Sequence, residues 1–144
     1  MKTINEMKLS FESKSINEGF SRVAVASFAS ALDATLEELN DIKTAVSEAV
    51  TNAIVHGYRE KMGKIYITAS ITDKNIIRIK VRDRGVGIED IEQARQPRFT
   101  ARGGERAGLG FAVMESFTDK VRVRSAPGRG TTVTLEKKIK GKDI

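Results

Sequence analysis

Apolar and polar residues alternate along "MKLSFES", Met7 to Ser13, the period of a half-buried strand. From Ser15 to Leu32 the period lengthens to that of a helix, with Ile16, Phe20, Val23, Phe28 and Leu32 as its expected apolar anchors. Asp33 to Thr35 interrupts that helix and supplies capping chemistry, because Thr35 stands three residues before Glu38. A longer helix is expected from there to about His56, with Gly57 at its end. Two strand-like segments follow, "GKIYITASI" and "NIIRIKVRD", joined by a turn at Thr72 to Lys74. Glu89 to Ala94 reads as a short helix, Gln96 to Ala107 is rich in Gly and Arg and lacks a period, and Leu109 to Phe117 reads as helix. "KVRVRSA" and "GTTVTLEKK" then form a hairpin about Pro127 to Gly130. Helices early and hairpins late predict an α+β fold: a two-layer α/β sandwich whose mixed, mostly antiparallel sheet carries its helices on one face.

Composition narrows the chemistry. The 144 residues fit one domain, 1–144, with no repeat or linker. No apolar run approaches the roughly 20 residues that span a bilayer, and the first residues lack an apolar leader; the expectation is a cytoplasmic protein without membrane contact. The absence of Cys excludes disulfides and thiol chemistry, and the single His excludes a multi-histidine metal site. The net charge of +6 raises nucleic acid as a partner, but the bases are spread along the chain and aromatics reach only 6%, too few for an evident stacking platform. Solubility, acidic protein partners or bound phosphate account for the charge better, and no direct nucleic-acid contact is expected.

The long helix raises the first chemical question. Leu39, Ile42, Val46, Ala49 and Ala53 form one apolar stripe, while Glu48 and Asn52 lie roughly 40° apart on another face. An ordinary solvated face would explain such a pair. Its flanks, however, are small or apolar (Ala45, Ala49, Ala53, Val55), and a carboxylate and an amide oxygen one turn apart suit Mg²⁺ and its waters.

Two glycine-rich stretches add to this. In "VRDRGVGI", Asp83 falls where a strand ends, and Gly85 and Gly87 allow a tight turn and close approach to a ligand. The stretch is either a plain strand-to-loop turn or a place where a carboxylate accepts from an exocyclic amine beside a flat ring. "GGERAGLGF" sets Gly108 and Gly110 just before the expected helix, where free N–H groups favour phosphate. It is neither a Walker A loop nor a dinucleotide fingerprint. Arg98, Arg102 and Arg106 add positive charge nearby, whether solvated or anion-binding.

In combination, a helical Glu-x-x-x-Asn, then Asp-x-Gly-x-Gly after a strand, then a long loop ending in Gly-x-Gly at a helix, the sequence resembles the GHKL (Bergerat-fold) ATP-binding family. Glu48 to Asn52 match that family's N box, Asp83 to Gly87 its first glycine box and Gly104 to Gly110 its second, while "GRGTTVTL" resembles its closing motif. "LNDIKTAVSEAVTNAIVHGY", "VRDRGVGIEDIEQARQPRFT" and "GLGFAVMESFTDKVRVRSAPGRGTTV" are further similar to the anti-sigma serine kinases of spore-forming bacteria, over nearly the whole chain.

That resemblance implies a kinase that restrains a sporulation sigma factor and phosphorylates a serine of an anti-anti-sigma factor, using ATP/ADP and Mg²⁺. It implies Glu48 as catalytic base, Asn52 as metal ligand, and Asp83 as the adenine acceptor. Gly85, Gly87, Thr100, Arg106, Gly108, Leu109, Gly110 and either Thr131 or Thr132 line the nucleotide, with Gln93 to Ala107 as a lid and Arg106 at the γ-phosphate. Arg22 and Thr51 lie in partner-contacting regions by the same resemblance, and a homodimer through the first helix is expected. Three other readings compete: a detached histidine-kinase ATP domain, a nucleotide-dependent binding module without transfer, and a basic nucleic-acid binder. Glu48 speaks against the second, since binding alone needs no base.

Overall fold

Alternation and helical period become strands β1 (Thr3–Glu12), β2 (Lys64–Thr72), β3 (Ile76–Asp83), β4 (Lys120–Ala126) and β5 (Gly130–Lys138), and helices α1 (Ile16–Ala29), α2 (Leu36–Asn52), α3 (Ile91–Ala94) and α4 (Gly104–Phe117). The computed structural model describes residues 1–59, 61–96 and 104–142, and within 104–108 the backbone alone. The sheet has the order β1-β2-β3-β5-β4, and every neighbouring pair is antiparallel. This corrects the expectation of a mixed sheet. β3 and β4 do run in the same direction, as a helical crossover requires, but β5 inserts between them and pairs antiparallel with both.

The period of two sorts the sheet's faces. Phe11, Ile65, Ile67, Ala69, Ile71, Ile77, Ile79, Val81, Val133 and Leu135 point towards the helices and are buried. Against them α2 lays the expected stripe: Ile42, Val46, Ala49 and Ala53 are buried, and Leu39 packs at the margin. The helix opens with a capping box, in which Thr35 Oγ1 accepts from Glu38 N at 3.0 Å and Glu38 Oε1 accepts from Thr35 N at 3.0 Å. Its far end does not stop at a Gly cap. It widens into a π-helical turn, Ala53–Gly57, in which Tyr58 N donates to Ala53 O at 2.9 Å.

α1 departs from its expected orientation. Phe28 and Leu32 pack against the core, but Ile16, Phe20 and Val23 are exposed by 80%, 53% and 55%. The buried side is Ser21, Val25, Ala26 and Ala29. Small residues lie inside because α1 packs against α2, and half-exposed Phe20 meets the core only edge-on, its ring 6.3 Å from that of Phe11. Among the described residues no helix is long and apolar enough to cross a membrane.

Candidate functional site

The C-terminal half of α2 and its π-turn form one wall of the site. Glu48 and Asn52 are half-buried, one turn apart. The face they share is covered by α4: a Cβ built on Gly110 would lie 3.1 Å from Glu48 Oε2 and 3.2 Å from both terminal atoms of Asn52. Gly108 and Gly110 therefore lie inside α4, which starts at Gly104, and not ahead of a helix as the sequence suggested. Glycine costs a helix interior about 1 kcal/mol relative to alanine. Its presence at 110 is explained by the contact, since a methyl group there would press on both polar side chains.

The π-turn delivers Gly57 to the next component. A Cβ on Gly57 would sit 2.7–2.8 Å from the Asp83 carboxyl group, so only hydrogen fits. Val86 N donates to Gly57 O at 2.9 Å, which ties the loop after β3 to the end of the helix. Tyr58 braces the same junction: its hydroxyl donates to Lys64 O and accepts from Arg84 N, the latter at 2.8 Å. Gly57 and Tyr58 were not singled out from the sequence. The only available signal was the helix stop at Gly57; its tight fit comes from Asp83, 26 positions further on.

Asp83 ends β3 pointing to the helix side and is 4% exposed. Its carboxylate accepts from Gly85 N at 2.9 Å and from the Thr131 backbone N–H. Burial pushes the carboxyl group above its usual range, and these two N–H bonds oppose that shift. Across the ladder Asp83 faces Thr131 and Arg82 faces Thr132. Of the two candidate threonines, the buried Thr131 therefore shares Asp83's side of the sheet, and Thr132 points to the opposite face. Ser125 completes this corner: its Oγ lies 2.8 Å from Thr131 Oγ1, donates to Gly130 O and accepts from Ile88 N at 2.7 Å. Gly87 has φ 77 and abuts Ala126 O, a position and a conformation that glycine alone tolerates.

Among the described residues the buried Glu18 Oε2 and Asn52 Nδ2 make no hydrogen bond, and of the two only Asn52 stands on the α2 wall. Amide orientation is interchangeable, so the side chain can turn either its oxygen or its nitrogen to the cleft. No group of three His, Cys, Asp or Glu among the described residues could hold a metal ion alone. A hard cation at Asn52 would thus be completed by water and ligand oxygens, the usual habit of Mg²⁺. Leu109 is exposed on α4. Thr100, Arg98 and Arg102 lie outside the described residues, as does the Arg106 side chain with most of Gln93 to Ala107.

Arg22, on α1, forms an ion pair with Glu18 at 3.2 Å. A groove of about 430 Å³ joins Arg22 to Glu48, passing Lys43, Thr44 and Ser47. Thr51 is half-buried beside Asn52.

The model of the histidine kinase-like ATPase domain matches residues 15–137. The anti-sigma F factor of Clostridium acetobutylicum is 56% identical over 136 residues, covering 94% of each chain. The chain belongs to the anti-sigma F factor family, within the histidine kinase-like ATPases. Its similarity to the anti-sigma F factor of Bacillus subtilis is 52% identity over 137 residues, 94% of this chain and 93% of that one. Solved structures share the family's fold. The RsbU and RsbW domains of a Mycobacterium tuberculosis protein superpose with TM-score 0.68 at 21% identity, over 94% of this chain and 32% of the other. ShkA in complex with AMPPNP gives 0.59 at 19%, over 85% and 30%.

Proposed function

We propose that this member of the anti-sigma F factor family is an ATP-dependent serine kinase that binds and restrains a sporulation sigma factor and phosphorylates an anti-anti-sigma factor. The observation that carries the reading is the pair of close approaches along one helix end, Gly110 on Glu48 and Asn52 and Gly57 on Asp83. From Glu48 to Gly57 the axial advance is about 13 Å, room to lay a nucleoside triphosphate lengthwise.

In this reading Asp83 accepts the adenine amine with the lone pairs left by Gly85 and Thr131, and Gly57 and Gly85 let the π-turn and the loop after β3 close together around that carboxyl group. Asn52 holds Mg²⁺, which would neutralise phosphate charge when bound. Glu48 orients the incoming serine hydroxyl and accepts its proton. The oxygen then bonds to the γ-phosphorus while the bond to the β–γ bridging oxygen breaks and ADP leaves. Phosphoryl transfer asks the protein mainly for alignment and charge, so one carboxylate suffices as the protein's proton acceptor. The groove from Arg22 to Glu48 supports delivery of the partner's serine, with Thr51 alongside. The outward ridge Ile16, Phe20 and Val23 supports pairing of two copies through α1.

The test incubates the chain with γ-labelled ATP, Mg²⁺ and the anti-anti-sigma protein. Acid-stable label on a serine is expected, and Glu48→Gln should reduce transfer at least about 100-fold with nucleotide affinity kept. Acid-labile label on a histidine, or undiminished transfer in Glu48→Gln, would rule the mechanism out.

A further inference from the structure

The sheet face turned away from the helices carries charge that the nucleotide chemistry does not use. Strand register arranges it in rows. One row is Ser10, Tyr66, Arg82, Thr132 and Arg124; the next is Lys8, Thr68, Lys80, Thr134 and Arg122. Neither row contains a carboxylate, and Lys8, Lys80, Arg82, Arg122 and Arg124 are all exposed. None of the five forms an ion pair among the described residues. The third row differs, because Arg78 pairs with Glu136 at 2.8 Å and Glu6 lies at its edge. Positive charge is thus concentrated in these two rows, between the Arg78–Glu136 row and the Glu12–Lys64 pair, beside a depression of about 530 Å³ lined by Thr68, Thr132 and Arg129 that reaches Asp83 and Thr131 at its edge.

We propose that this open face is a docking surface for an extended, carboxylate-rich segment of a protein partner. Side chains two apart on β3 (Lys80, Arg82) and on β4 (Arg122, Arg124) are spaced by roughly 7 Å. An extended acidic peptide presents alternate carboxylates at that same spacing, so one strand-like segment can meet both cations of a strand in register. The threonine hydroxyls between them can donate to the same carboxylates. A single-stranded nucleic acid fits less well. The rows contain one aromatic, Tyr66, and the guanidinium of Arg84 already lies over its ring, 4.9 Å from the centroid. Bases would find no platform on which to stack.

The experiment titrates the full chain into a fluorescein-labelled peptide of alternating glutamate and serine, with the glutamine–serine peptide and an oligothymidylate in parallel. Anisotropy should report binding of the glutamate peptide alone, weakened by salt. Arg82→Glu with Arg124→Glu should weaken it at least about tenfold. Lys14→Glu with Lys61→Glu, equal in charge but off this face, should change it less than about twofold. Both variants should bind a fluorescent ATP analogue as the parent does, which separates this surface from the nucleotide site. The milder Arg82→Gln with Arg124→Gln pair checks the effect without reversing charge. Equal loss in both charge-reversal variants, tighter binding of the oligothymidylate, or no binding of the glutamate peptide would each overturn the proposal.

Discussion

Asp83 combines burial with two N–H donors, a combination that sets up opposing forces on one proton. Its folded pKa is raised, so the native state holds the proton more tightly than the unfolded chain. Stability therefore declines as pH rises through the interval between 3.8 and the raised value. In the proposed function adenine binding has the opposite preference, since an ionised Asp83 would accept the amine without surrendering a lone pair to its own proton. ATP affinity is expected to fall as pH is lowered through the raised pKa, and Asp83→Asn should bind about 1–3 kcal/mol more weakly with that pH step removed. Fluorescent-nucleotide titrations across the acid range check this; a step that persists in Asp83→Asn belongs to another group. Asp83 was legible in the sequence because it ends an alternating strand at an inward-facing register. Gly57 was not, because its need for a bare Cα comes from a side chain it meets only after folding.

Elements were legible where local chemistry and packing agree. The α2 stripe and the Thr35–Glu38 box depend on spacing alone, and both are present. The reading of α1 differs from the structure because the period marks an apolar side without telling which partner is closest; the small residues Ser21, Ala26 and Ala29 are buried, while Phe20 stays half-exposed with its ring against Phe11 of β1. α4 was started late because glycine reads as a helix breaker, yet Gly110 serves a contact with α2. That contact predicts a separation of effects. Gly110→Ala gains helix propensity of up to about 1 kcal/mol but drives a methyl group against Glu48 and Asn52. Thermal stability should be nearly unchanged, while phosphate transfer falls at least about tenfold through misplacement of those groups. Melting curves and labelled-ATP assays on the same preparation decide it; a variant that melts early without losing transfer would mean the contact serves packing alone.

At the scale of the whole molecule, α2 spans two ends with different duties. Its C-terminal end carries Glu48, Asn52 and the π-turn, whereas its N-terminal end is clamped by the chain's last described residues. Glu38 accepts from Lys140 N at 2.7 Å and Gly141 N at 3.1 Å, and Ile139, 2% exposed, donates its N–H to Asn75 O at 2.8 Å. From Glu38 to Asn52 the helix advances about 21 Å, enough to separate the two ends energetically, because additivity holds beyond roughly 10 Å. Ile139→Ala should therefore cost about 2–5 kcal/mol of stability from the cavity it leaves. The folded fraction should keep its nucleotide affinity, since no wall of the cleft moves. Urea unfolding measures the first effect and nucleotide titration below the transition measures the second. A loss of affinity that tracks the loss of stability would show that the clamp and the cleft are one cooperative unit, with α2 transmitting strain along its length.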